Sequence, residues 1–74
     1  MTVLSENALR ARINRKLAHE GERVVTPRYG SQSWLEYGPH FIVDDRNNLQ
    51  AWSCDLENLG RELGVLRPGE TLRA

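Results

Sequence analysis

A chain of 74 residues with ten basic side chains, ten acidic ones and zero formal net charge lies near the lower limit at which a hydrophobic core holds a fold unaided. Its single cysteine excludes an internal disulfide and favours the cytoplasm, and no apolar run approaches the ~20 residues of a membrane span. A substrate pocket of ordinary volume beside a core is also excluded by size.

Met1-Thr2-Val3-Leu4-Ser5-Glu6 lacks a basic stretch followed by an apolar signal core, so a soluble, unprocessed single domain over residues 1–74 is expected. The charges are unevenly placed. Residues 1–28 carry six basic and three acidic side chains, and residues 29–58 carry one basic and five acidic. Such a split is either a dipolar surface that orients a partner or solvated charge whose halves neutralise each other in the fold.

In chain order, Ser5 is positioned to cap a helix over residues 5–20, with Glu6 in its first turn. Leu9, Ile13 and Leu17 form a narrow apolar stripe, which suits a helix lying across a sheet. Arg10, Arg12, Arg15 and Lys16 flank it, with Asn14 on the far side. This face either touches phosphates or is a solvated surface whose long stems cover the core edge. Gly21 stops the helix, and residues 22–27 read as a strand that Pro27 marks as an edge.

Residues 28–38 hold Gly30, Ser31, Gln32 and Ser33 among Tyr29, Trp34, Leu35 and Tyr37 without a sustained period, and read as a loop, with or without a short strand at Trp34. Its rings either cover an open core edge or face a partner. Pro39-His40-Phe41-Ile42-Val43 is strand-like and Asp44-Asp45-Arg46-Asn47-Asn48 is turn chemistry, giving a hairpin of residues 39–44 and 49–54. If Arg46-Asn47 are the central turn residues, Val43 faces Gln50 and Phe41 faces Trp52. Phe41, Val43 and Trp52 then share one face, expected against the helices, while Ile42, Leu49 and Ala51 share the other; a bulged turn shifts this by one residue.

Asp55 is the expected N-cap of a helix over residues 56–63, whose stripe is Leu56, Leu59 and Leu63. Gly60 in the same sector permits a close approach to the sheet or the first helix, Gly64 and Pro68 end the helix, and residues 67–74 read as a frayed tail. The fold class is α+β, a small three-stranded antiparallel sheet with two helices on one face.

Chemistry is sparse. His19, His40 and Cys54 have no metal-ligand spacing, so neither a metal nor a cofactor is expected. Cys54 precedes a helix start and His40 lies diagonally near it, but neighbouring strand residues point to opposite faces and Asp55 raises a nearby thiol pKa. Asp44 and Asp45 read as turn formers rather than a catalytic pair.

Ile13-Asn14-Arg15-Lys16-Leu17-Ala18, Gly21-Glu22, Phe41-Ile42-Val43-Asp44, and Asp55-Leu56-Glu57 with Leu59, Arg61-Glu62-Leu63-Gly64-Val65-Leu66, resemble a group of small proteins of bacterial chromosomes, plasmids and phages. The resemblance leaves Arg28 to Tyr37 uncovered and carries over no catalytic or binding residue. Cys54 departs from that pattern, where an aliphatic residue is expected, and this weighs against a thiol-dependent function. In size and style the chain is also similar to phage-encoded inhibitors of host defence complexes, the anti-CRISPR proteins, which share no sequence motif.

The leading expectation is therefore a non-enzymatic protein-binding module that occupies a bacterial host protein through Tyr29, Trp34, Tyr37, Asp44, Asp45 and Arg46. The alternative is nucleic-acid binding through Arg10, Arg12, Arg15, Lys16 and Arg23, disfavoured by zero net charge and an acidic hairpin. A third is homodimerisation through an open sheet face or the edge strand.

Overall fold

The computed structural model describes residues Thr2–Arg73; Met1, and Ala74 at the end of the expected tail, lie outside the described residues. Strand β1 (Thr2–Leu4) leads into helix α1 (Glu6–Leu17), whose N-cap Ser5 accepts a hydrogen bond from the Ala8 amide at 3.1 Å. A 3-10 turn, Ala18–Glu20, extends α1 to Gly21, which takes the left-handed conformation (φ 70°) expected of a stop. Strand β2 (Glu22–Val25) follows, two residues shorter than the sequence suggests.

The segment expected to be a loop contains helix α2 (Gln32–Tyr37). Ser31 caps it by accepting the Trp34 amide at 3.3 Å, and Gly38 ends it at φ 83°, donating to Trp34 O at 2.8 Å. Strands β3 (Phe41–Asp44) and β4 (Leu49–Ala51) form the hairpin, and helix α3 (Leu56–Glu62) begins at Asp55, whose carboxylate accepts the Asn58 amide at 3.1 Å. Strand β5 (Glu70–Leu72) closes the described chain.

The fold is α+β, with an antiparallel sheet ordered β2-β3-β4 and, among the described residues, three α-helices. β2 is an edge strand, as Pro27 implies, and its Val24 amide donates to Asn14 Oδ1 at 2.7 Å. Asn14 thus caps the sheet edge from α1 instead of standing ready for phosphate.

The expected tail is not frayed. β5 pairs in parallel with β1, Thr2 to Glu70 through Leu4 to Leu72, in a second, two-stranded sheet. The Glu70 carboxylate holds it, accepting Arg12 Nη1 and the Arg67 amide, each at 2.9 Å. Such non-local pairing of three-residue strands leaves no period in the sequence to read.

The hairpin register also departs from expectation. Asn47 is left-handed (φ 63°) and the Asp44 amide donates to Asn48 O, so the loop has three residues, Asp45 to Asn47, and Val43 faces Leu49 rather than Gln50. A bulge at Gln50 then restores Ile42 opposite Ala51. The Asp44 carboxylate organises this turn, accepting the amides of Arg46 and Asn48 at 2.9 and 2.8 Å and the Gln50 side chain at 3.2 Å.

The core lies on the opposite face of the sheet from the one expected. Leu9, Ile13 and Leu17 of α1, Leu56 of α3 and Leu66 pack with Val24 and Ile42, joined by half-buried Ala51, Leu59 and Leu63. Phe41 and Val43 are buried on the other face, and Trp52 is exposed. Two observed pairings, Val24 with Ile42 and Ile42 with Ala51, put these three residues on one side. Gly60 brings α3 against α1: a Cβ there would lie 3.0 Å from Leu9 Cδ1 and 3.2 Å from Leu66 Cβ.

Candidate interaction face

The second face of the sheet carries Arg23, Val25, Phe41, Val43 and Leu49, and α2 lies over part of it. Tyr37 is the contact, its ring centroid 5.3 Å from that of Phe41. The chain after β4 passes under the end of α2, where Ser53 (φ 53°) donates its amide to Tyr37 O at 2.7 Å. Gly38 is required there, since a Cβ would lie 3.0 Å from the Ser53 Cα and the backbone is left-handed. This crossing sets Trp52 beside Tyr37.

Two adjoining hollows of about 310 Å³ each result, and Tyr37 and Leu49 line both. One runs between Ser33 of α2 and Arg23, Val25, Phe41 and Val43. The other is closed by Glu36 and Trp52. Large apolar side chains remain in water nearby in sequence: Tyr29 is 82 % exposed, Leu35 71 %, Trp52 61 % and Leu49 38 %. All four fall between residues 29 and 52, although the core has its own filling elsewhere.

The residues expected to contact a partner are dispersed. Tyr29 stacks on half-buried Trp34 at 4.5 Å at the start of α2, and Tyr37 floors the groove at its end. The Asp44 carboxylate is consumed within the turn, where backbone hydrogen bonds, above all from Asn48, hold it below its ordinary pKa. Asp45 and Arg46 are exposed at the hairpin tip. Glu36, Leu49 and Trp52 were missed, the last because an unbulged register places it inward; the readable signal was Asn47, a residue tolerant of the left-handed turn that shifts Leu49.

Of the expected basic surface, Arg10 bonds Asn7, Arg23 bonds Asn47, and Arg12 bonds Glu70 and Val65 O. Only Arg15 and Lys16 of those five make no side-chain hydrogen bond or ion pair among the described residues.

His40, Cys54 and Asp55 do line one hollow of about 370 Å³. His40 and Asp55 are engaged elsewhere. His40 Nδ1 lies 2.9 Å from Thr26 Oγ1, and its Nε2 is 3.9 Å from the Glu6 carboxylate. Asp55 caps α3. Burial, with Glu62 adding to it, pushes the Cys54 thiol above its ordinary pKa, the opposite of what a nucleophile needs. Among the described residues no group of three His, Cys, Asp or Glu side chains could hold a metal ion, and no helix is long and apolar enough to cross a membrane.

No family model matches this chain, and no curated protein or solved structure matches it either.

Proposed function

We propose that the chain is a non-enzymatic protein-binding module whose contact surface is the groove between α2 and the β3–β4 hairpin. The exposure of Trp52 and Leu49, which line that groove, carries the reading. A chain this small keeps large apolar side chains in water at a cost to solubility, and half-exposed rings beside a hollow are what interface anchors look like before binding. The raised thiol pKa of Cys54 weighs against a thiolate nucleophile.

The occupant is a segment of a partner protein carrying an apolar side chain next to Lys or Arg. The hollows have room for one or two apolar side chains, and Glu36 at the rim bonds only the neutral Gln32 among the described residues, so its charge is unneutralised. Asp45 adds a second exposed carboxylate at the hairpin tip. A host protein as the partner agrees with the chain's likeness in size and style to phage-encoded inhibitors.

Selection from a random peptide library tests this. Peptides enriched on the wild-type chain are expected to place an aromatic or aliphatic residue beside a cation, and to be lost on a Trp52→Ser chain. Acidic peptides, or identical enrichment on both chains, would contradict the proposal.

A further inference from the structure

A second surface, remote in sequence from the groove, gathers positive charge. The C-terminal half of α1 and the 3-10 turn present Arg12, Arg15, Lys16 and His19 along one side, and the turn after α3 faces them with Gly64, Val65 and Arg67. Between them lies an open groove of about 490 Å³ whose lining contains no acidic residue. We propose that this groove is a binding site for a phosphate-bearing anion.

Three arguments carry the assignment. The walls are fixed in place: Arg12 Nη1 bridges them by donating to Val65 O at 3.2 Å and to Glu70 at 2.9 Å, and Glu70 also takes the Arg67 amide. Glu70 pairs with Arg12 and also attracts Arg67, so it offsets about one of the four cations Arg12, Arg15, Lys16 and Arg67, and Arg15 and Lys16 have no acidic partner among the described residues. The ends of α1 and α3 each offer roughly half a negative charge, which offsets about one more and leaves the groove positive.

The lining also selects among anions. A protein segment needs apolar anchors, and the only apolar side chain in the groove is half-buried Val65. What the site offers is charge and forked guanidinium donors, which match phosphate oxygens. With no Phe, Tyr or Trp among the lining residues and the His19 imidazole as the one ring, contact would be chiefly to phosphate.

Two-dimensional NMR titration of the whole chain tests the site with three probes: tripolyphosphate, a single-stranded oligothymidylate and an oligoglutamate. Saturable shifts are expected at the amides of Lys16, His19, Val65 and Arg67 with a phosphate probe. Affinity is expected to fall at least about tenfold in the Arg15→Gln/Arg67→Gln chain and to stay unchanged in Arg10→Gln/Arg23→Gln, with log K falling as log salt rises. Tighter binding of oligothymidylate, with a salt slope near −2 for about three phosphates at roughly 0.7 each, supports the site with a phosphodiester as the source. Tighter binding of tripolyphosphate supports it with a free polyphosphate group as the source. No saturable shift with either phosphate probe, equal losses in the two variant chains, or oligoglutamate binding as tightly as phosphate would overturn the proposal.

Discussion

Asn14 does one job that no apolar residue could take over. Its side-chain carbonyl accepts the Val24 amide at 2.7 Å, satisfying an edge-strand donor in a partly buried setting. Replacing it by alanine leaves that donor unpaired, a loss of about 1–3 kcal/mol. Urea unfolding of Asn14→Ala is expected to show a lowered midpoint at unchanged slope; an unchanged midpoint would mean that water replaces the side chain at no cost. Acid acts on three other residues. Burial, more than the nearby Arg10, holds His40 below its ordinary value of 6.5, against the pull of Glu6 and Asp55. Hydrogen bonds from Asn48 to Asp44, and from Arg12 to Glu70, hold those carboxyls below 3.8 and 4.5 respectively. In all three the folded pKa is depressed, so each contribution is present above the unfolded value and is lost as pH falls through the folded one. Urea midpoints are expected to be highest at and above neutrality, to fall first below about pH 6.5 through His40 and again below about pH 4 through the carboxyls. A midpoint that rises on acidification would contradict these assignments.

At the scale of elements, α2 is the weakest helix and the one the candidate site depends on. It has six residues, none of them buried, and is held by the Ser31 cap, Gly38 and the Tyr37–Phe41 contact. Loss of an N-cap costs about 0.5–2 kcal/mol, enough to open so short a helix while leaving the core untouched. In Ser31→Ala, hydrogen exchange is expected to quicken at Leu35 and Gly38 and to stay as it was at Ile13 and Leu17; equal acceleration at all four would show that α2 is part of the core. The same brevity explains what could be read from the sequence. α1 and α3 announce themselves through stripes of three- and four-residue spacing and through Ser5, Asp55, Gly21 and Gly64, all of which the structure uses as caps or stops. α2 is less than two turns long and shows no stripe, and the β1–β5 pair joins opposite ends of the chain, so local pattern betrays neither. The hairpin was visible but its facing was not. Phe41, Ile42 and Val43 are all buried, so alternation cannot say which side holds the helices, and the bulge at Gln50, whose side chain bonds Asp44, leaves no mark in the pattern. The aromatic loop was singled out from its composition; the groove beside it was not, because Leu49 and Trp52 reach it only through that register.

For the molecule as a whole, apolar side chains divide into two populations. One, centred on fully buried Leu9 and Ile13, joins α1, α3 and one sheet face. The other, Leu49 and Trp52 beside Tyr37, lines the α2–hairpin groove and stays partly in water, which makes it available to a partner without dismantling the fold. The two can be separated experimentally because surface substitutions away from the core change stability little, within about 0.5 kcal/mol. The deciding measurement pairs urea unfolding with peptide affinity in the Trp52→Ser chain. Stability is expected to change by less than about 1 kcal/mol while affinity for a groove-selected peptide falls at least about tenfold. A large loss of stability with affinity unchanged would place this side chain in the core and refute the binding face.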